Sequence, residues 1–188
     1  GLRELGYVEG KNIAFEFRSG GGKPDFLKGL ADELVNLKVD LIVVCQTPAA
    51  SAVRQSTSQV PIVALTADPV GTGLVASLSR PGGNITGVSG TTAELGAKIL
   101  ELIGEMIPDT RRVGLLVNAT DPFSSIFVGQ VESAGRATGI AIQAIAVRGA
   151  NEFEAALSAM ARERADAVII QPSLPYQAAI DLALKYRI

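Results

Sequence analysis

Four short polar clusters interrupt an otherwise apolar chain, and each carries residue types that can hold a small ligand. They are Thr47-Pro48, Asp68-Pro69, the group Asn118, Thr120, Asp121, Ser124 and Ser125, and the pair Gln171 and Ser173. Hydroxyls, amides and carboxylates of this kind donate and accept hydrogen bonds. Asp68 suits an ammonium or several hydroxyls, and a helix opening at Thr47-Pro48 offers free N–H groups that suit a carboxylate. Recognition is the chemistry these sets can do. Each also has a purely structural reading. Thr47 ahead of Pro48 is a natural N-cap worth about 1 kcal/mol. Asp68-Pro69 can be a turn, and Asp121 before Pro122 can simply cap a helix. Gln171 and Ser173 divide evenly between the two readings, and Tyr176 is either a stacking surface or packing.

Histidine is absent. That removes Ser-His-Asp and Cys-His catalysis and any His-ligated metal site from this stretch, so no catalytic residue, metal or cofactor is assigned. Gly71-Thr72-Gly73-Leu74-Val75-Ala76 fits G-x-G-x-x-A. However, Asp68-Pro69-Val70 separates it from the strand it should follow, and the acidic residue expected near Thr91 is replaced by Glu94, so ordinary glycine turns explain it. A net charge of −2 with both signs interspersed gives no face for nucleic acid. No apolar run approaches the ~20 residues of a membrane helix. The lone Cys45, inside an apolar run, is expected to be a buried hydrophobe.

Alternating strands and helices must position the clusters. With 47% apolar and 19% charged residues, the chain can bury a substantial core. Leu41–Cys45 and Pro61–Leu65 are uninterrupted β-branched-rich runs, expected to be strands covered on both faces. Ile13, Phe15 and Phe17 alternate with smaller or charged residues, which predicts a strand near a sheet edge. Helical stripes follow at Phe26–Val35, Ala49–Gln55 and Leu95–Met106, with a short helix expected to open at Gly71–Ala76 and stop at Arg80-Pro81-Gly82-Gly83. Ile85–Ser89 is a further brief strand. From Arg112 the pattern restarts: strand 113–117, helix 124–138, strand 140–147, a helix around Phe153–Ala161, strand 167–170 and a final helix. Two βαβ series imply an α/β chain of two Rossmann-like lobes with parallel sheets. Lobe one is expected over 1–90, a hinge-proximal helix over 91–110 and lobe two over 111–188, with the hinge between Ser89 and Glu94 or beside the next helix. Ligand crevices in such sheets lie outside the carboxyl ends of strands, so Thr47 and Asp68 should share one mouth.

Several strings resemble the ABC-transporter substrate-binding proteins of the tryptophan/tyrosine-uptake type. They are Gly1-Leu2-Arg3-Glu4-Leu5-Gly6-Tyr7-Val8-Glu9-Gly10-Lys11-Asn12, Thr47-Pro48-Ala49-Ala50, Asp68-Pro69-Val70-Gly71-Thr72-Gly73-Leu74-Val75, Arg80-Pro81-Gly82-Gly83-Asn84-Ile85-Thr86-Gly87 and Met160-Ala161-Arg162-Glu163-Arg164-Ala165-Asp166-Ala167. The resemblance implies a type I periplasmic-binding fold, incomplete at both ends, whose lobes close on a small ligand, with an amino acid expected. It implies a periplasmic or lipid-anchored location, with the signal peptide expected upstream, and an ABC permease as partner. Thr47 and Asp68 fall in the matching lobe-one loops; Asn118 and Ser124 match lobe two. The first strand of lobe one is expected to be missing between the Ile13 and Leu41 strands, leaving those two to pair or another chain to fill the gap as a strand-exchange oligomer. Pro48, Pro69, Gln171 and Ser173 complete the expected ligand set. Two rivals share the fold class: a ligand-sensing regulatory domain, and an α/β enzyme on a nucleotide or sugar relying on Asp68 and Asp121.

Overall fold

Apolar β-branched runs become strands wherever a helix lies close enough to cover them. The computed structural model describes residues 1–90 and 95–188. In the first half, α1 (Leu27–Asn36) precedes β1 (Ile42–Cys45), α2 (Thr47–Ser56), β2 (Ile62–Thr66) and β3 (Ile85–Ser89). The strands form a parallel sheet in the order β1-β2-β3, with Ile42 opposite Ile62 and Ile62 opposite Ile85. Ile42, Val44, Ile62, Ala64 and Ile85 form a core with Ala31 of α1 and Ala50 and Val53 of α2.

Both helices pack on that one face. The other face is bare: Val43 is 71% and Val88 64% exposed, and Leu65 and Cys45 are exposed beside them. This corrects the expectation that these strands are covered on both faces, and with it the expectation that Cys45 is buried. An apolar run shows that a strand can be buried, not that the same chain supplies both covers.

Ile13–Phe17 is not a strand. Its single pairing is an isolated bridge between Glu9 and Ile13, and the backbone then runs extended, with Phe17 80% exposed. Arg18 ties this segment to α1 through Nε to Glu33 at 2.8 Å, so it never reaches the free edge of β1. Gly71–Ala76 is a run of turns rather than a short helix. Gly73 has φ 71°, outside the helical region, and the Thr72 N–H and hydroxyl both donate to the Asp68 carbonyl, at 3.0 and 2.8 Å.

In the second half, α3 (Leu95–Met106) leads to β4 (Arg112–Asn118), α4 (Ser124–Thr138), β5 (Ala141–Val147), α5 (Phe153–Arg162), β6 (Ala167–Ile170) and α6 (Tyr176–Tyr186). Here the sheet is covered on both sides. Leu116 packs with Phe153, Leu157 and Met160 of α5 on one face, and Val113, Leu115 and Val117 pack with Leu100, Phe127 and Val131 on the other. The predicted helix over 124–138 has those ends in the structure, stopping at Gly139 with φ 75°. Strand order is β5-β4-β6, all parallel. The chain therefore winds one way from β4 to β5 and the other way to β6, which puts a topological switch point at the carboxyl ends of β4 and β6. Of the hinge expected between Ser89 and Glu94 or beside the next helix, residues 91–94 lie outside the described residues. After it, α3 packs on α4 so closely that a Cβ on Gly96 would stand 3.2 Å from the Gln130 backbone.

Candidate functional site

The strand ends of the first sheet converge as parallel pairing requires. The Gln46 N–H donates to the Leu65 carbonyl at 2.8 Å, and Thr47 Oγ1 reaches the Ala67 carbonyl at 3.5 Å. Thr47 and Asp68 therefore stand at the same end of the sheet, on adjacent loops. Both are largely engaged by the fold itself. Thr47 is 2% exposed. It is the first residue of α2, and Gln46, not Thr47, takes the N-cap place, because the Gln46 carbonyl already accepts the Ala50 N–H at 3.1 Å. Asp68 Oδ1 accepts the Gly71 N–H at 2.9 Å, and its other oxygen lies where a Gly71 Cβ would stand at 2.1 Å. The Asp68 carboxylate thus closes the turn onto Gly71, and a side chain at 71 would push that carboxylate aside.

At the switch point of the second sheet a buried network joins β4, α4 and β6. Gln171 Oε1 accepts the Asn118 N–H at 2.8 Å, and its Nε2 donates to Asp121 Oδ2 at 2.9 Å. Ser124 Oγ lies 2.5 Å from the Asn118 carbonyl and 2.8 Å from Gln171 Oε1, and its single proton serves one of the two. Asp121 Oδ1 accepts the Phe123 N–H at 2.9 Å, opening α4. Asn118 Oδ1 accepts the Thr120 N–H at 2.9 Å and its hydroxyl at 2.8 Å, while its Nδ2 has only long contacts to Ser173, at 3.4 and 3.5 Å. That amide retains donor capacity for a ligand.

A cavity of about 390 Å³ lies mostly against the first half and meets the second at one end. At one end it is lined by Gln46, Pro48 and Ala49 from the first half and by Asn118 and Ser173 from the second. It continues as an apolar trough along the free edge of β1, floored by Leu27, Leu30 and Leu34. Of the residues singled out in the sequence, Pro48, Asn118 and Ser173 line the cavity. Thr47, Asp68 and Pro69 do not, Pro69 lining instead a smaller cavity of about 40 Å³ with Thr66 and Leu74, and Ser124 and Gln171 are hydrogen-bonded to the Asn118 backbone. Its charged lining, among the described residues, is Arg18 and Lys23. Hydrogen bonding to Glu33 raises the Arg18 pKa, so that guanidinium is held as a cation.

Gln46 and the Arg18–Lys23 loop were missed in the sequence. Gln46 carries a readable signal, as the first polar residue after the Leu41–Cys45 run; the loop carries none, because glycine-rich linkers look alike whether or not they face a cavity.

Comparison with known proteins bears on the whole chain. The family described as ABC transporter substrate binding protein matches residues 1–186. A tyrosine-binding protein of Clostridioides difficile is 32% identical over 162 residues, covering 85% of this chain and 46% of that protein. A conserved domain protein from Vibrio cholerae is 28% identical, with a TM-score of 0.88 over 99% of this chain and 62% of its own. The ABC domain from Streptococcus pneumonia in complex with L-Trp is 25% identical, with a TM-score of 0.87 over 98% of this chain and 63% of its own. One superposition spans both halves, so they stand to each other much as in that complex. The chain spans about half the length of the curated relative it matches and under two thirds of these two structures.

Proposed function

Because this chain belongs to the ABC transporter substrate binding protein family, we propose that it captures a small polar ligand, an amino acid, between its two halves and hands it to a membrane permease. The two sheets act as lobes, over 1–90 and 111–188, with α3 beside the hinge. The observation that carries this reading is the cavity where the carboxyl ends of both parallel sheets face each other, with Pro48 on one side and Asn118 and Ser173 on the other.

In this account the start of α2 presents the backbone N–H groups of Thr47 and Ala49 to the ligand carboxylate, Pro48 between them having none. Asn118 Nδ2 and the Ser173 hydroxyl supply hydrogen bonds from the opposite rim, while Thr47, Asp68 and Pro69 shape the near rim. Ser124 and Gln171 hold Asn118 in place rather than touching the ligand. Binding is non-covalent and the ligand leaves unchanged. Closure follows from the ligand touching both lobes at once, since it can shift the open–closed balance only by its difference in affinity for the two. An aromatic amino acid is supported by the relatives that bind tyrosine and L-Trp. The site of action is extracytoplasmic, on a periplasmic or lipid-anchored protein. No helix among the described residues is long and apolar enough to cross a membrane.

The free edge of β1, uncharged along Ile42–Cys45, also supports a strand-exchange oligomer of this chain, which sedimentation at two concentrations checks. Calorimetry of the full-length protein against the amino acids tests the main reading. Heat with tyrosine or tryptophan is expected; heat with a sugar and none with any amino acid removes the ligand class.

A further inference from the structure

Contacts between the lobes among the described residues include two apolar ones. Ala67 packs against the Leu100–Phe127 cluster of the second half, and Gly22 lies against Pro175, where an added Cβ would come within 3.3 Å of the proline ring. The third contact is polar. Gln46 Nε2 donates to the Pro172 carbonyl at 3.0 Å, the one side-chain hydrogen bond between the halves among the described residues.

Both ends of that bond are held by their own lobe. Gln46 has φ 74° and ψ 147°, a conformation residues other than glycine rarely adopt. It is fixed there by its N–H bonded to Leu65 and its carbonyl bonded to Ala50. The backbone thus turns the side chain out of the first lobe at the junction of β1 and α2. The acceptor belongs to a turn over 171–174 closed by the Leu174 N–H on the Gln171 carbonyl at 3.0 Å. Pro172 takes the place in that turn that proline favours. Gln171, next to it, is anchored by its buried bonds to Asn118 and Asp121. A donor fixed to one lobe meets an acceptor fixed to the other, and the bond can exist only while the lobes are shut.

We propose that Gln46 is the closure latch of the cleft: its amide grips the Pro172 carbonyl in the shut arrangement and sets the share of shut molecules before any ligand arrives. This rests on the reading of the two halves as closing lobes. Gln46 is exposed, so water competes for its amide, and a net bond of this kind shifts the open-to-shut ratio by about 3- to 10-fold. A ligand then meets a population already biased toward the shut form, and its apparent affinity rises by the same factor at most.

The test measures the distance between probes on Gln55→Cys and Arg162→Cys, both on exposed helix positions, in full-length Cys45→Ser protein without ligand. Gln46→Ala and Gln46→Gly are each expected to raise the open fraction relative to the shut one by about 3- to 10-fold. Gln46→Gly is expected to fold at least as stably as the parent, since glycine accepts φ 74° freely, so opening cannot then be ascribed to a damaged fold. An unchanged distance distribution in both variants overturns the latch. So does a loss of ligand affinity with an unchanged ligand-free distribution, which makes Gln46 a ligand contact. Opening in the variants, with no amino acid bound by the parent, leaves the latch standing and removes the ligand reading alone.

Discussion

Gln171 and Asn118 stand at the carboxyl ends of neighbouring strands, and the proposed function gives them opposite duties. The Gln171 side chain spends its donor and its acceptor inside the protein, on Asp121, Asn118 and Ser124. Replacing it with Leu leaves these buried groups short of partners and is expected to cost about 2–5 kcal/mol, read as a drop in the urea midpoint. Asn118→Ala loses the turn contacts to Thr120, for about 1 kcal/mol of folding stability, and the Nδ2 that makes only long contacts to Ser173, for about 10-fold in ligand affinity by calorimetry. A pair of variants that lost affinity equally, with equal stability, would contradict this division. The sequence marked both as polar residues at strand ends but could not separate them. Direction at a strand end depends on what packs behind, and Asp121 and Ser124 come from a distant part of the chain. Cys45 was misread for a related reason, because burial in a strand depends on a cover the strand does not itself encode.

At the scale of elements, two contacts set strand positions. Gly87 in β3 pairs with Ala64, and a Cβ there would stand 1.8 Å from the Ala64 carbonyl oxygen. Gly87→Ala is expected to cost about 3 kcal/mol or more, measured by thermal or urea unfolding. Asp166 accepts the Arg111 and Arg112 N–H groups at 2.8 and 2.9 Å just before β6 and at the start of β4. Those two bonds, Arg111 first, lower its pKa below 3.8. A lowered folded value means the contribution is full above the unfolded 3.8 and is lost as pH falls through the lowered value. Asp166→Asn keeps an acceptor oxygen but loses the charge, so its stability should fall less between pH 6 and pH 3 than the parent's, in denaturation at each pH. Helix and strand periodicity predicted nearly every element of the second half, where each strand has helices on both faces. It overcalled Ile13–Phe17, since alternation identifies a segment able to pair while its partner must come from elsewhere. It also overcalled Gly71–Ala76, where Asp68 and Gly73 divert the backbone into turns.

For the whole molecule, the second sheet is closed on both faces and the first is not. The first leaves a bare face with Val43, Leu65 and Val88 and an unpaired edge at β1. The cavity inherits this asymmetry, polar between the lobes and apolar along β1. The account places the ligand at the polar end. A crystal structure of the full-length protein with its bound amino acid tests this most directly. It should show the ligand's carboxylate at the start of α2, beside Pro48-Ala49, with Asn118 and Ser173 on its other side. A ligand held by one lobe alone, or lying in the trough among Leu27, Leu30 and Leu34, would contradict capture between the lobes.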